Sequence, residues 1–225
     1  MLSLEHAGMV IDVVALGLLG LGLAGVLVKQ IPVAIGFLAL QGLLLSFAAG
    51  SAASFEMDWR TWAAFVVTLG VKVIAIPGLL WFILNRVAIQ HEMETVVGLK
   101  LAFPIAIGLV LLAYWISDPF AASTLSSAHG FNAPNALPAA LALLFLGLFT
   151  MATRKKALTQ VIGLVTMENG IYLAALAVTR GLPSAVEFGI AMDVLTGAAL
   201  MALVAHEINQ LFSTINTDRL RTLRG

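Results

Sequence analysis

Long apolar runs separated by short polar turns set the pattern of this chain. Stretches of about 16 to 25 residues recur in which a helix is long enough to cross a hydrocarbon core roughly 30 Å thick. Seven spans are predicted, at 8 to 28, 32 to 54, 61 to 85, 101 to 117, 134 to 152, 158 to 179 and 184 to 208. Leu, Ala, Val and Gly dominate them without the apolar/polar alternation of barrel strands, so the pattern is that of an all-α polytopic membrane protein and not of a β-barrel.

Composition agrees. Of 225 residues, 60% are hydrophobic and 11% charged, with a mean hydropathy of +1.02. A soluble domain could not cover itself with a polar surface from that inventory. The basic residues set an orientation. With the N-terminus outside, Lys29, Arg86, Lys100, Arg154, Lys155, Lys156, Arg219, Arg221 and Arg224 fall on the inner side, against Arg60 and Arg180 outside. That bias predicts N-out, C-in placement in the cell's inner (cytoplasmic) membrane. The first run is expected to be a true span and not a cleaved signal, since no Lys or Arg precedes it and Glu5 and Asp12 flank or enter it.

No cysteine occurs. Disulfides, thiolate metal sites and cysteine-held iron–sulfur clusters are excluded from this chain, so any redox chemistry belongs to a partner. A net charge of zero without a large soluble segment gives no basis for nucleic-acid binding.

Candidate chemistry lies in the charges that interrupt the apolar runs: Lys72, Glu168 and Asp193. Ionisable groups at such depth are costly and are retained to carry ions or to pair with each other. Glu168 follows eleven uncharged residues and precedes Asn169, Gly170 and Tyr172. Two readings stand: a carboxyl that exchanges protons or couples ions, its charge state set by burial against nearby cations, or a hydrogen bond tying helices together, worth about 1 kcal/mol in lipid. The same pair of readings applies to Asp193, flanked one turn away by Gly189 and Gly197, small residues that admit a neighbouring helix. Lys72 precedes Pro77, whose missing N–H frees a carbonyl a turn earlier. It reads as a charge partner or as a snorkelling lysine. His206, near the inner end of the last span, reads as interfacial or as the mouth of a proton path. His91 to Thr95 lacks the second histidine of a zinc-protease helix and reads as a solvated inner loop. No nucleophile and base constellation is visible.

Two segments repeat. Ile35 to Gly42 aligns with Ile162 to Asn169, placing Gln41 opposite Glu168, and Val71 to Val73 aligns with Met192 to Val194, placing Lys72 opposite Asp193. The repeat predicts a three-helix unit over 1–99, a connecting helix and outer loop over 100–133, and a second three-helix unit with an inner tail over 134–225. The odd connector makes the two units parallel, related by an axis along the membrane normal. Lys72 then approaches Glu168 or Asp193 near mid-bilayer.

The segment Ile162 to Leu173, together with the terminal Thr217 to Gly225, resembles the hydrogenase 4 component E family. That resemblance covers nearly the whole chain. It implies a membrane subunit of group 4 nickel–iron hydrogenase or formate hydrogenlyase-like complexes, with antiporter-like and other membrane-arm subunits and the lipid bilayer as partners. The nickel–iron centre and iron–sulfur clusters are implied in partner subunits, and no cofactor in this chain. Residues 134 to 225 are similar to NuoK of respiratory complex I and to the C subunit of Mrp-type antiporters. In NuoK two intramembrane glutamates belong to a polar axis linked to proton translocation. Asp193, with Gly197 four residues on, matches the second, whereas Val165 holds the place of the first and Glu168 follows three residues later. The resemblance thus implies a pathway of Glu168 and Asp193, which the repeat extends to Lys72 and Gln41. The expected function is non-catalytic coupling of electron transfer to proton or sodium movement. An Mrp-type transport subunit without a redox module, or an assembly scaffold, are the alternatives.

Overall fold

The computed structural model describes residues 4–56, 59–86, 95–126, 133–179 and 196–197. Its elements are α1 (Leu4–Leu27), α2 (Ile31–Glu56), α3 (Trp59–Leu69), a π-helical turn (Gly70–Ala75), α4 (Ile76–Arg86), α5 (Leu99–Ser126), α6 (Ala136–Thr153) and α7 (Ala157–Thr179). Among the described residues, six helical segments are long and apolar enough to cross a membrane, the third running through α3, the π turn and α4. They follow the first six predicted spans, and α5 continues beyond the expected end at 117, through Pro119 to Ser126. The last predicted span, with Asp193 and His206, lies outside the described residues except for Thr196 and Gly197. So does the His91 segment up to Glu94.

Tight turns make α1 with α2 and α6 with α7 antiparallel hairpins. The α6/α7 hairpin closes on glycines: a Cβ on Gly147 would sit 2.7 Å from the Gly163 carbonyl oxygen, and one on Gly170 would sit 2.7 Å from that of Ala140. Such backbone approach replaces the hydrophobic drive that lipid removes.

Polar clamps at both ends fix α1 beside α6. The backbone N–H and the Nδ2 of Asn135, the residue before α6, donate to the two carboxylate oxygens of Asp12 at 2.7 and 2.8 Å. At the other end the buried Arg154 guanidinium donates through Nη2 to the carbonyls of Val26 (2.9 Å) and Val28 (3.1 Å), where α1 ends. A carboxylate at a helix N-terminus and a cation at a C-terminus both match the backbone dipole. Burial pushes the Arg154 guanidinium below the usual arginine range, without removing its charge near neutral pH. Asp12 pairs with the start of α6 and Arg154 with the end of α1, so the two helices run parallel.

Two apolar layers form where α2 and α7 meet. One gathers Ile11, Leu18, Leu45, Leu143, Tyr172 and Leu173. The other gathers Leu38, Ile76, Leu80, Leu84, Ile162 and Val165. On α2 the boundary falls between Leu38 and Leu45, and on α7 between Val165 and Tyr172. Gln41 and Glu168 occupy those gaps, sealed above and below by hydrocarbon.

Candidate functional site: a charged cluster between two apolar layers

Lys72 is delivered by the π turn. Ile76 N–H donates to the Val71 carbonyl, the wider i to i−5 register, just before Pro77, which cannot donate at all. An α-helical register across this stretch would call on the Pro77 nitrogen for the Val73 carbonyl, and the wider turn changes that demand. Single π turns of this kind recur at functional sites. Here the turn carries a lysine whose side chain is 1% exposed.

The ammonium is met from α7. Lys72 Nζ lies 3.1 Å from Glu168 Oε1 and donates to Asn169 Oδ1 at 3.2 Å. The Tyr172 ring, one turn further along α7, presents its face 5.7 Å from Nζ. Asn169 passes the network on, its Nδ2 donating to Gln41 Oε1 on α2 at 3.1 Å. Glu168 Oε2 accepts from the Thr196 hydroxyl at 2.6 Å. Gln41, Lys72, Glu168, Asn169 and Thr196 are all at least 96% buried.

Magnitudes decide what this pair is for. Opposite charges about 3 Å apart attract by roughly 5 kcal/mol at an effective dielectric of about 20. Taking both ions out of water costs several kcal/mol each. The pair is therefore close to energetic break-even, and a well-packed apolar pair would hold the helices together as well. What apolar side chains could not supply is a charged, hydrogen-bonded centre inside the helix bundle.

Of the five residues singled out from the sequence, three meet in one cluster: Lys72, Glu168 and Gln41. Asp193 and His206 lie outside the described residues. Thr196, three residues after Asp193 in the sequence, does not stand out from its apolar surroundings as a charge would. Asn169, in the sequence only a neighbour of Glu168, proves to be the link between α7 and α2. Val165, at the place of NuoK's first glutamate, is buried in an apolar layer, while Glu168 faces the lysine.

The match to known proteins spans the same architecture. The sequence pattern of NADH-ubiquinone/plastoquinone oxidoreductase chain 4L fits residues 136–225, covering α6, α7 and the segment beyond. Hydrogenase-4 component E of Escherichia coli K12 is 28% identical over 88% of this chain and 89% of its own length, and that of Shigella flexneri matches equally. Over most of its length the chain is similar to the hydrogenase 4 component E proteins. An uncharacterized protein of Mycobacterium tuberculosis is 29% identical over 91% of this chain and 93% of its own length. No solved structure matches. As a hydrogenase 4 component E-like protein, the chain is a multi-pass membrane subunit of a complex I-related assembly.

Proposed function

We propose that this chain is a non-catalytic membrane-arm subunit of a group 4 nickel–iron hydrogenase or formate hydrogenlyase-like complex, in which the buried Lys72–Glu168 cluster couples electron transfer to proton or sodium movement. Nickel, iron and iron–sulfur clusters belong to partner subunits, and antiporter-like subunits are its neighbours in an inner membrane, with the N-terminus outside. The carrying observation is the 3.1 Å contact between Lys72 and Glu168, residues on different helices, between two layers of buried apolar side chains. Glu168 is held by a cation through one oxygen and a hydroxyl through the other. A change in its protonation therefore redistributes bonds on two neighbouring segments at once, and moving charge in a neighbouring subunit would bias that change. Parallel α1 and α6 support reading the chain as two three-helix units joined by α5.

The test is Glu168→Gln in the intact complex, which keeps the size and one acceptor oxygen while removing the charge. Assembly is expected to survive, with all subunits co-purifying, and redox-driven ion uptake into vesicles to fall by roughly tenfold or more. Unchanged uptake would leave the cluster as structural glue and favour the scaffold reading.

A further inference from the structure

The charged cluster is sealed by apolar layers, yet ions that it handles must reach it. One seam leading away from it is lined differently. On α2, Gly42, Ser46 and Gly50 recur every fourth residue and so share a face. On the facing segment Phe65, Thr68 and Lys72, spaced by three and then four residues, also share a face. A Cβ on Gly42 would strike the Lys72 backbone at 2.7 Å, and one on Gly50 would lie 3.0 Å from the Phe65 ring. These contacts fix an antiparallel register in which Ser46 comes level with Thr68 and Leu69. Leu69 is 37% exposed and Thr68 1%, so it is Thr68 that turns inward.

Small residues alone would make this a packing seam. Two buried polar groups make it more. The Thr68 hydroxyl, 1% exposed, has no hydrogen-bond partner among the described residues. The Gln41 Nε2 group, on a side chain 2% exposed, likewise has no acceptor among them, because Gln41 Oε1 alone is engaged, by Asn169. Buried donors are rarely left unmade, and ordered water is the usual partner where polar groups converge. Ser46 sits between them, its hydroxyl donating to the Gly42 carbonyl at 2.8 Å and keeping its lone pairs for a further donor.

We infer that the α2/α3 seam is a water-holding access route that connects the Lys72–Glu168 cluster to the membrane face where α2 ends and α3 begins. Its ligand is water, or a hydrated proton carried by it. Gln41, Ser46 and Thr68 hold the chain of waters: Ser46 and Thr68 stand level across the seam, and the five residues from Gln41 to Ser46, about 7.5 Å of helical rise, take two bridging waters in series. Phe65, packed on Gly50 and met edge-on by Trp62 at 5.9 Å between ring centroids, closes the route at its outer end. The assignment of ions to the route rests on the coupling function proposed above, whereas the hydration of the seam does not.

The chain contains no cysteine, so single cysteines can report on the seam in the intact complex. Thr68→Cys and Ser46→Cys are exposed to a small charged methanethiosulfonate from that face, and labelling is read from the mass of this subunit. Val67→Cys, adjacent in sequence but on the exposed face, is the dry control. Reaction needs a thiolate, which forms readily beside water and poorly in hydrocarbon. Both seam positions should react roughly tenfold faster than Val67→Cys, and adding Phe65→Ala should raise the rate at Thr68→Cys further. Seam cysteines as inert as the control would overturn the route, and a rate indifferent to Phe65→Ala would overturn its closure. Labelled seam cysteines together with full ion coupling in Glu168→Gln would preserve the route and defeat the coupling role. Inert cysteines with coupling lost in Glu168→Gln would do the reverse.

Discussion

Gly42 on α2 lies so close to the backbone of Lys72 that a Cβ built on it would fall 2.7 Å from the Lys72 carbonyl oxygen and 2.9 Å from the Lys72 Cβ. The lysine can occupy its buried position because α2 offers no side chain there. Gly42→Ala should destabilise the purified complex by about 1 to 3 kcal/mol through overpacking, and should lower coupled ion uptake by displacing the π turn from Glu168. Gly36→Ala on the same helix, where an added Cβ meets nothing within 4 Å, serves as the control and should be neutral or mildly stabilising. Equal thermal stability of the two variants in detergent would refute the steric argument.

The charge pair should show strong non-additivity. Removing one member of a buried ion pair costs about 3 to 5 kcal/mol, because the other is left uncompensated. Lys72→Met and Glu168→Gln should therefore each lower thermal stability, while the double variant should lie closer to the parent than their sum predicts. Ion coupling should be lost in all three. A thermal-melt cycle in which the effects simply add would mean that the two residues do not depend on each other.

Asp12 is expected to be structural in spite of its depth. Its carboxylate satisfies the Asn135 backbone N–H and Nδ2 at the start of α6, which makes it a cap supplied by another helix. Asp12→Ala should cost about 1 to 2 kcal/mol in thermal stability and leave redox-driven ion uptake per assembled complex unchanged. A loss of uptake with stability retained would place Asp12 in the ion path instead.

How much of this was legible beforehand can be judged from single residues. Lys72 and Glu168 stood out because a charge inside an apolar run violates the pattern around it. Gln41 emerged only through its alignment with Glu168 in the repeat. Asn169 and Thr196 did not stand out, because Asn and Thr occur in membrane helices for many reasons and spacing along one helix says nothing about what faces it. Asp12 and Arg154 looked like residues of a first span and an inner turn. Their pairing across about 120 residues, Asp12 with Asn135 and Arg154 with Val26 and Val28, depends on which helices become neighbours.

The sequence by itself determined the class of protein, six described spans to within a few residues at most ends, and the short list of charges worth following. Those properties depend on local hydrophobicity and helical rise, which each stretch of chain carries alone. Tertiary structure decided the partners: that Lys72 meets Glu168, that Asn169 bridges to Gln41, and that a π turn rather than a regular helix presents the lysine. The reason is that in a bilayer almost any face of an apolar helix can be covered equally well by lipid or by protein. Helix neighbours are then selected by close backbone approach at glycines such as Gly42, Gly147 and Gly163, and by the need of buried polar groups for one another.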